Sequence, residues 1–69
     1  MFGFSKNYYI KAQKGDILTC YVSYVGNDIE CTINKKFAKK YSSEKDAEKD
    51  LNIVKKSIAG QGYEITICK

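Results

Sequence analysis

The chain has 69 residues, 43% of them hydrophobic and 29% charged, with a formal net charge of +4. That is one small globular domain near the lower size for a core held without staples, and not a disordered tail. Histidine and arginine are both absent, which removes the commonest general base and metal ligand and the side chain that grips phosphates and base edges with a planar fork.

Residues 1–7 form a lead in which Phe2 and Phe4 have no place in the pattern that follows. Met1-Phe2-Gly3-Phe4 is too short an apolar run for a signal-peptide core, and nothing approaches a membrane span. A three-stranded antiparallel meander is expected over 8–34. From Tyr8 to Gln13, Tyr8, Ile10 and Ala12 alternate with Tyr9, Lys11 and Gln13, a strand period. Lys14-Gly15-Asp16 reads as a three-residue turn. Leu18, Cys20, Val22 and Tyr24 then alternate with Thr19, Tyr21 and Ser23. Gly26-Asn27 is a two-residue hairpin signal, with glycine taking the positive φ of a type II′ turn. The third strand sets Ile29, Cys31 and Ile33 against Glu30, Thr32 and Asn34. These loops pair Tyr24 with Ile29, Val22 with Cys31 and Cys20 with Ile33. They also pair Ala12 with Leu18, Ile10 with Cys20 and Tyr8 with Val22, so that every apolar residue shares one face.

A basic connection occupies 35–42 and a helix is expected over 43–59. Ser42 or Ser43 caps it, acids occupy its first turns and Lys55 and Lys56 its last, as the helix dipole favours. Ala47, Leu51, Val54 and Ile58 make one apolar stripe, and Gly60 is the left-handed stop. Tyr63, Ile65 and Ile67 alternate in a last strand over 63–68. The fold class is therefore α+β, in the order β-β-β-α-β, with the helix on one face of the sheet. A right-handed crossover makes the last strand parallel to the first, on its free edge.

The three cysteines are widely separated, with no spacing suited to zinc. They read as free thiols in a reducing, cytoplasmic compartment. Cys20 and Cys31 are expected on the core face as diagonal neighbours, badly placed for a disulfide, with Cys68 the most reactive.

Chemistry points to binding, without cofactor or metal. No nucleophile has a histidine beside it, and the acids Asp46, Glu48 and Asp50 interleave with lysines on the solvated helix face. Two surfaces stand out. The open sheet face places Tyr9 beside Tyr21 and Tyr21 beside Thr32, with Lys11, Thr19 and Asn34 in the next row. The connection carries Lys35, Lys36, Lys39 and Lys40 with no acid among them. Tyrosines on an open sheet suit protein recognition, or the stacking of unpaired bases. The lysines suit phosphate or an acidic protein. Glu30 and Glu64 on the same sheet face oppose nucleic acid. Exposed edges in so small a sheet also allow a homodimer.

The stretch Ala38-Lys39-Lys40-Tyr41-Ser42-Ser43-Glu44-Lys45-Asp46-Ala47-Glu48 resembles an element of small α+β accessory proteins from phages and prophages of Gram-positive bacteria. In these an Ala-x-x-aromatic leads into a capped helix and then a strand. The order of elements is also similar to HicB-type antitoxins, whose Pro-Asp-Leu-Pro segment and Gly-Asp-Thr cap this chain lacks. The phage resemblance implies a small accessory or inhibitor protein in a bacterial host cell, acting on a host or defence protein by contact.

Overall fold

A computed structural model describes residues 7–69; the expectation about Phe2 and Phe4 lies outside them. The elements are β1 (Tyr9–Lys14), β2 (Leu18–Val25), β3 (Ile29–Thr32), a short 3-10 turn (Lys35–Phe37), α1 (Glu44–Ser57) and β4 (Glu64–Cys68). The strands form one antiparallel sheet in the order β3-β2-β1-β4, and the helix lies between the third and fourth strands in sequence. The expected α+β architecture is the one observed.

Local signals act where they were expected. Ser43 caps α1, its Oγ accepting from the Asp46 N–H at 3.2 Å, which satisfies one of the four N–H groups a helix start leaves free. Gly60, at φ +84°, turns the chain out of the helix. Ala47 and Val54 of the stripe are fully buried, with Leu51 and Ile58 half-buried beside them. They close over Ile10, Ala12, Val22 and Ile65 from the sheet.

Several expectations need correction. β4 does run along the free edge of β1, but antiparallel to it, pairing Ile10 with Ile67 and Ala12 with Ile65. The crossover rule assumes that the helix itself makes the return journey. Here the segment from Ile33 to Ser43 makes it, long enough when extended to run back along the sheet. It is stitched in at the start of β1, where Tyr8 and Tyr41 exchange backbone hydrogen bonds of 2.9 and 3.0 Å. Tyr8 therefore meets Tyr41 and not Val22. The helix then travels from that end to the other, and β4 comes back.

The β1–β2 hairpin turns one residue later than expected. Lys14 pairs with Leu18 and Ala12 with Cys20, because the left-handed residue is Gly15, at φ +55°, followed by Asp16 and Ile17 in the loop. The shift is two residues in register, so each side chain keeps its face.

The β2–β3 hairpin holds the expected Val22–Cys31 pair, then shifts to Tyr24–Glu30 and Val25–Ile29. A bulge after Val22 adds one residue to β2, so Val25 replaces Tyr24 on the core side. Gly26 has no positive φ. The third strand also ends at Thr32, which leaves Ile33 exposed and unpaired with Cys20. Cys31 is exposed while Cys20 is buried, and all three thiols are free.

That last correction has a cause in the layers. The helix packs chiefly on β4, and less on β1 and β2. It stops short of β3, so the apolar alternation of β3 faces an open cleft. Among the described residues no helix is long and apolar enough to cross a membrane.

Candidate binding site

On the uncovered face of the sheet, strand pairing sets Thr32, Tyr21, Lys11 and Thr66 in one row across all four strands. Thr19 lies opposite Gln13. The expected Tyr9–Tyr21 neighbourhood gives way to a Lys11–Tyr21 pair, because the later hairpin turn slides β1 along β2. Tyr9 sits instead toward the other edge, opposite Cys68 of β4. Asn34 leaves the sheet altogether. Its Oδ1 accepts from the Lys36 N–H at 3.0 Å, and its own N–H donates to Thr32 Oγ1 at 3.2 Å. Asn34 is thus the cap that starts the 3-10 turn, a role consistent with its short side-chain amide competing with the strand ladder.

That turn is what builds the site. It directs Lys35 across to Tyr9, with the ammonium 4.8 Å from the ring centroid, within the range of a cation–π contact. The same ammonium donates to the Lys69 carbonyl at 2.6 Å. Tyr9, Lys35, Lys36 and Lys40 together line an open depression of about 480 Å³. Two features that are separate in sequence, a strand tyrosine and a basic connection, therefore meet in one place.

The fourth lysine of the run does something else. Lys39 forms an ion pair of 2.9 Å with Asp50 of α1 and lies 5.2 Å from the Tyr41 ring centroid. The Tyr41 hydroxyl donates to the same carboxylate oxygen at 2.6 Å. Burial disfavours the charged carboxylate, but the hydrogen bonds from Tyr41 and Lys39 and the Lys39 charge outweigh it, holding Asp50 below its ordinary range. Burial and the Asp50 carboxylate together raise the Tyr41 hydroxyl well above the usual phenol range. This cluster anchors the connection to the helix. Asp50 is accordingly not part of a merely solvated face, and Lys39 is not free charge.

Sequence reasoning missed the Tyr41–Asp50 bond. The two residues are nine apart, straddle a helix start and carry no local pattern that pairs them. The apolar members of the connection are Phe37, Ala38 and Tyr41; Ala38 and Tyr41 are buried, and Phe37 is exposed.

Chemically the depression is lined by three lysines and one aromatic ring, with no acid in its lining. Such a site attracts carboxylates or phosphates as point charges, without the bidentate geometry that arginine supplies. Comparison with protein-family models, with curated proteins and with solved structures gives no match. The functional reading rests on the geometry.

Proposed function

We propose that the chain is a non-catalytic binding protein that recognises an acidic surface on a partner protein. Tyr9 is the anchor, and Lys35, Lys36 and Lys40 are the charged rim. The observation that carries this reading is the convergence of those four residues on one depression, with the fourth lysine drawn off into the Lys39–Asp50 pair. A tyrosine beside positive charge suits protein recognition, since an amphipathic ring supplies area at low entropic cost while rim charges steer the encounter. The resemblance to phage and prophage accessory proteins supports a partner among host or defence proteins and a place in the bacterial cytoplasm, with inhibition by contact as the mode of action.

Single-stranded nucleic acid fits the same charge but fits the ring less well. The Lys35 ammonium already lies over Tyr9, on a face a base would need for stacking. The Lys11–Tyr21 pair offers a second ring, though in a row that holds no other aromatic side chain.

The test is capture of partners from a bacterial lysate, with and without nuclease, by the wild type and by a Lys35→Glu, Lys36→Glu, Lys40→Glu variant. A nuclease-resistant protein partner lost in the variant is the expected result. Lys39→Gln should destabilise the fold slightly while leaving capture intact. A complex that disappears on nuclease treatment, with Tyr21→Ala weakening a short oligonucleotide by about 1–3 kcal/mol, would replace this reading with the nucleic-acid one.

A further inference from the structure

The opposite end of the molecule carries a surface of another kind. Where α1 stops short of β3, a cleft of about 360 Å³ opens over the core face of β2 and β3. Leu18, Ile29, Cys31, Ile33, Ile58 and Tyr63 are among its walls, and none of its lining residues is charged. Ile33 is 77% exposed, and Ile17 beside Leu18 is 89% exposed. For a chain of 69 residues with twelve lysines, an uncharged apolar stretch along a sheet edge is the kind of surface that gets covered.

The backbone says what shape the cover has. The Val22 carbonyl accepts from the Lys39 N–H at 2.9 Å, so it faces away from β3. Val22 and Cys31 are direct partners and therefore make a non-hydrogen-bonded pair. Strand alternation then turns the N–H and C=O of Cys31 toward the free edge of the sheet. An occupant must satisfy those groups and lay apolar side chains on the same face at every second residue.

We propose that the occupant is a second copy of this chain, with β3 pairing antiparallel to β3 about a two-fold axis at Cys31. Residues directly opposite in an antiparallel pair share a face, so only registers that match apolar with apolar positions are allowed. The register centred on Cys31 sets Ile29 against Ile33 of the other copy and Glu30 against Thr32. Every core-facing position then meets a core-facing position, and no lysine lies in the paired segment. Two chains of formal charge +4 meet through a margin that carries no lysine and one acid, Glu30, per copy. None of the residues that line the charged depression at Tyr9 lies in the paired segment, and the dimer stands or falls independently of the function proposed for that depression. The result is an eight-stranded sheet with both clefts closed toward each other, an isologous interface.

Sedimentation velocity of the wild type should give twice the 7.8 kDa chain mass, and Ile33→Lys should give a monomer with unchanged circular dichroism. Register is read by mixing two chains, both with Cys31→Ser and Cys68→Ser, one bearing Glu30→Cys and the other Thr32→Cys. Mild oxidation should cross-link the mixture far more than either chain alone. A monomer at every loading overturns the proposal, as does a dimer in which the mixed cross-link does not exceed the controls.

Discussion

Two halves of one sheet face read alike in sequence and end differently in the fold. Under α1, Ile10, Ala12 and Ile65 are buried, and the helix residues Ala47 and Val54 close over them completely. On the β3 side, Ile29 is half-buried, Cys31 is exposed and Ile33 stands in solvent. Both halves alternate apolar and polar with the same period. Alternation assigns a side chain to a face; whether that face is covered depends on where the helix lies. A helix of fourteen residues with a diameter of about 10–12 Å cannot roof four strands spaced about 4.8 Å apart. It is tied down at Asp50, in its middle, by Tyr41 and Lys39, and it is followed by β4 on the far edge. Cover goes chiefly to β4, then to β1 and β2, and β3 is left bare.

The contrast is broken most severely in the covered half. Ile10 is fully buried, so Ile10→Ala should cost about 2–5 kcal/mol of unfolding free energy, the range for large-to-small changes in a packed interior. Ile17→Ser, at an 89% exposed position, should change stability by less than about 0.5 kcal/mol. Urea denaturation of the two variants measures both. Comparable losses would mean that the covered half is not the core.

A smaller effect tests what holds the helix to one side. Asp50→Ala removes the acceptor of both Tyr41 and Lys39 and leaves the phenol hydroxyl without its partner. We expect a loss of about 1–3 kcal/mol. The pH dependence follows from the depressed carboxyl. Its stabilisation is present in full above the ordinary value of 3.8 and is lost as pH falls through the lower folded value. Acid unfolding of the wild type should thus show a decrease in stability below about pH 4 that is reduced in Asp50→Asn. Identical acid profiles for the two proteins would remove the cluster from the energetics. Tyr41→Phe should retain the Lys39–Asp50 pair and cost less than Asp50→Ala.

How much of this was legible follows the reach of each signal. The strand alternation, Ser43 as cap, the Ala47–Ile58 stripe and Gly60 as stop are all set within a few residues, and each is where local chemistry puts it. The direction of β4 was not legible, because it depends on the path of the connection, whose 3-10 turn and Tyr8–Tyr41 bridge are long-range events. The hairpin positions missed by one residue for a related reason. Gly15 moves the first turn without moving any side chain off its face, and the hydrophobic pattern is blind to that. The bulge after Val22 exchanges Tyr24 for Val25 on the core side, and nothing in the alternation of β2 marks it. At the candidate site, Tyr9 and the lysines could each be picked out singly. That Lys39 is sequestered while Lys35 reaches Tyr9 required knowing which way the connection turns.

The finest test of the contrast lies in the thiols, where exposure and reactivity point opposite ways. Cys31 is exposed, yet its thiol borders the cleft, where partial burial and then the neighbouring Cys20 thiol push it up to about 11. The thiolate is the reactive form, and a raised value means little of it at neutral pH. Cys31 should therefore alkylate slowly at pH 7, with a rate rising about tenfold per pH unit until the titration near 11. Cys68, half-buried on the other sheet face, should label first, and Cys20 only on unfolding. Peptide mass spectrometry after timed iodoacetamide exposure gives all three rates. Cys20→Ala should speed Cys31 only modestly, because burial is the largest cause and the neighbouring thiol the lesser. Dilution then separates two origins of the protection. A Cys31 rate independent of protein concentration assigns it to the cleft within one chain. A rate that climbs on dilution assigns it to the pairing of two β3 edges. Cys31 reacting at neutral pH as fast as an unfolded thiol would mean that the bare half of the sheet has no cleft to shelter it.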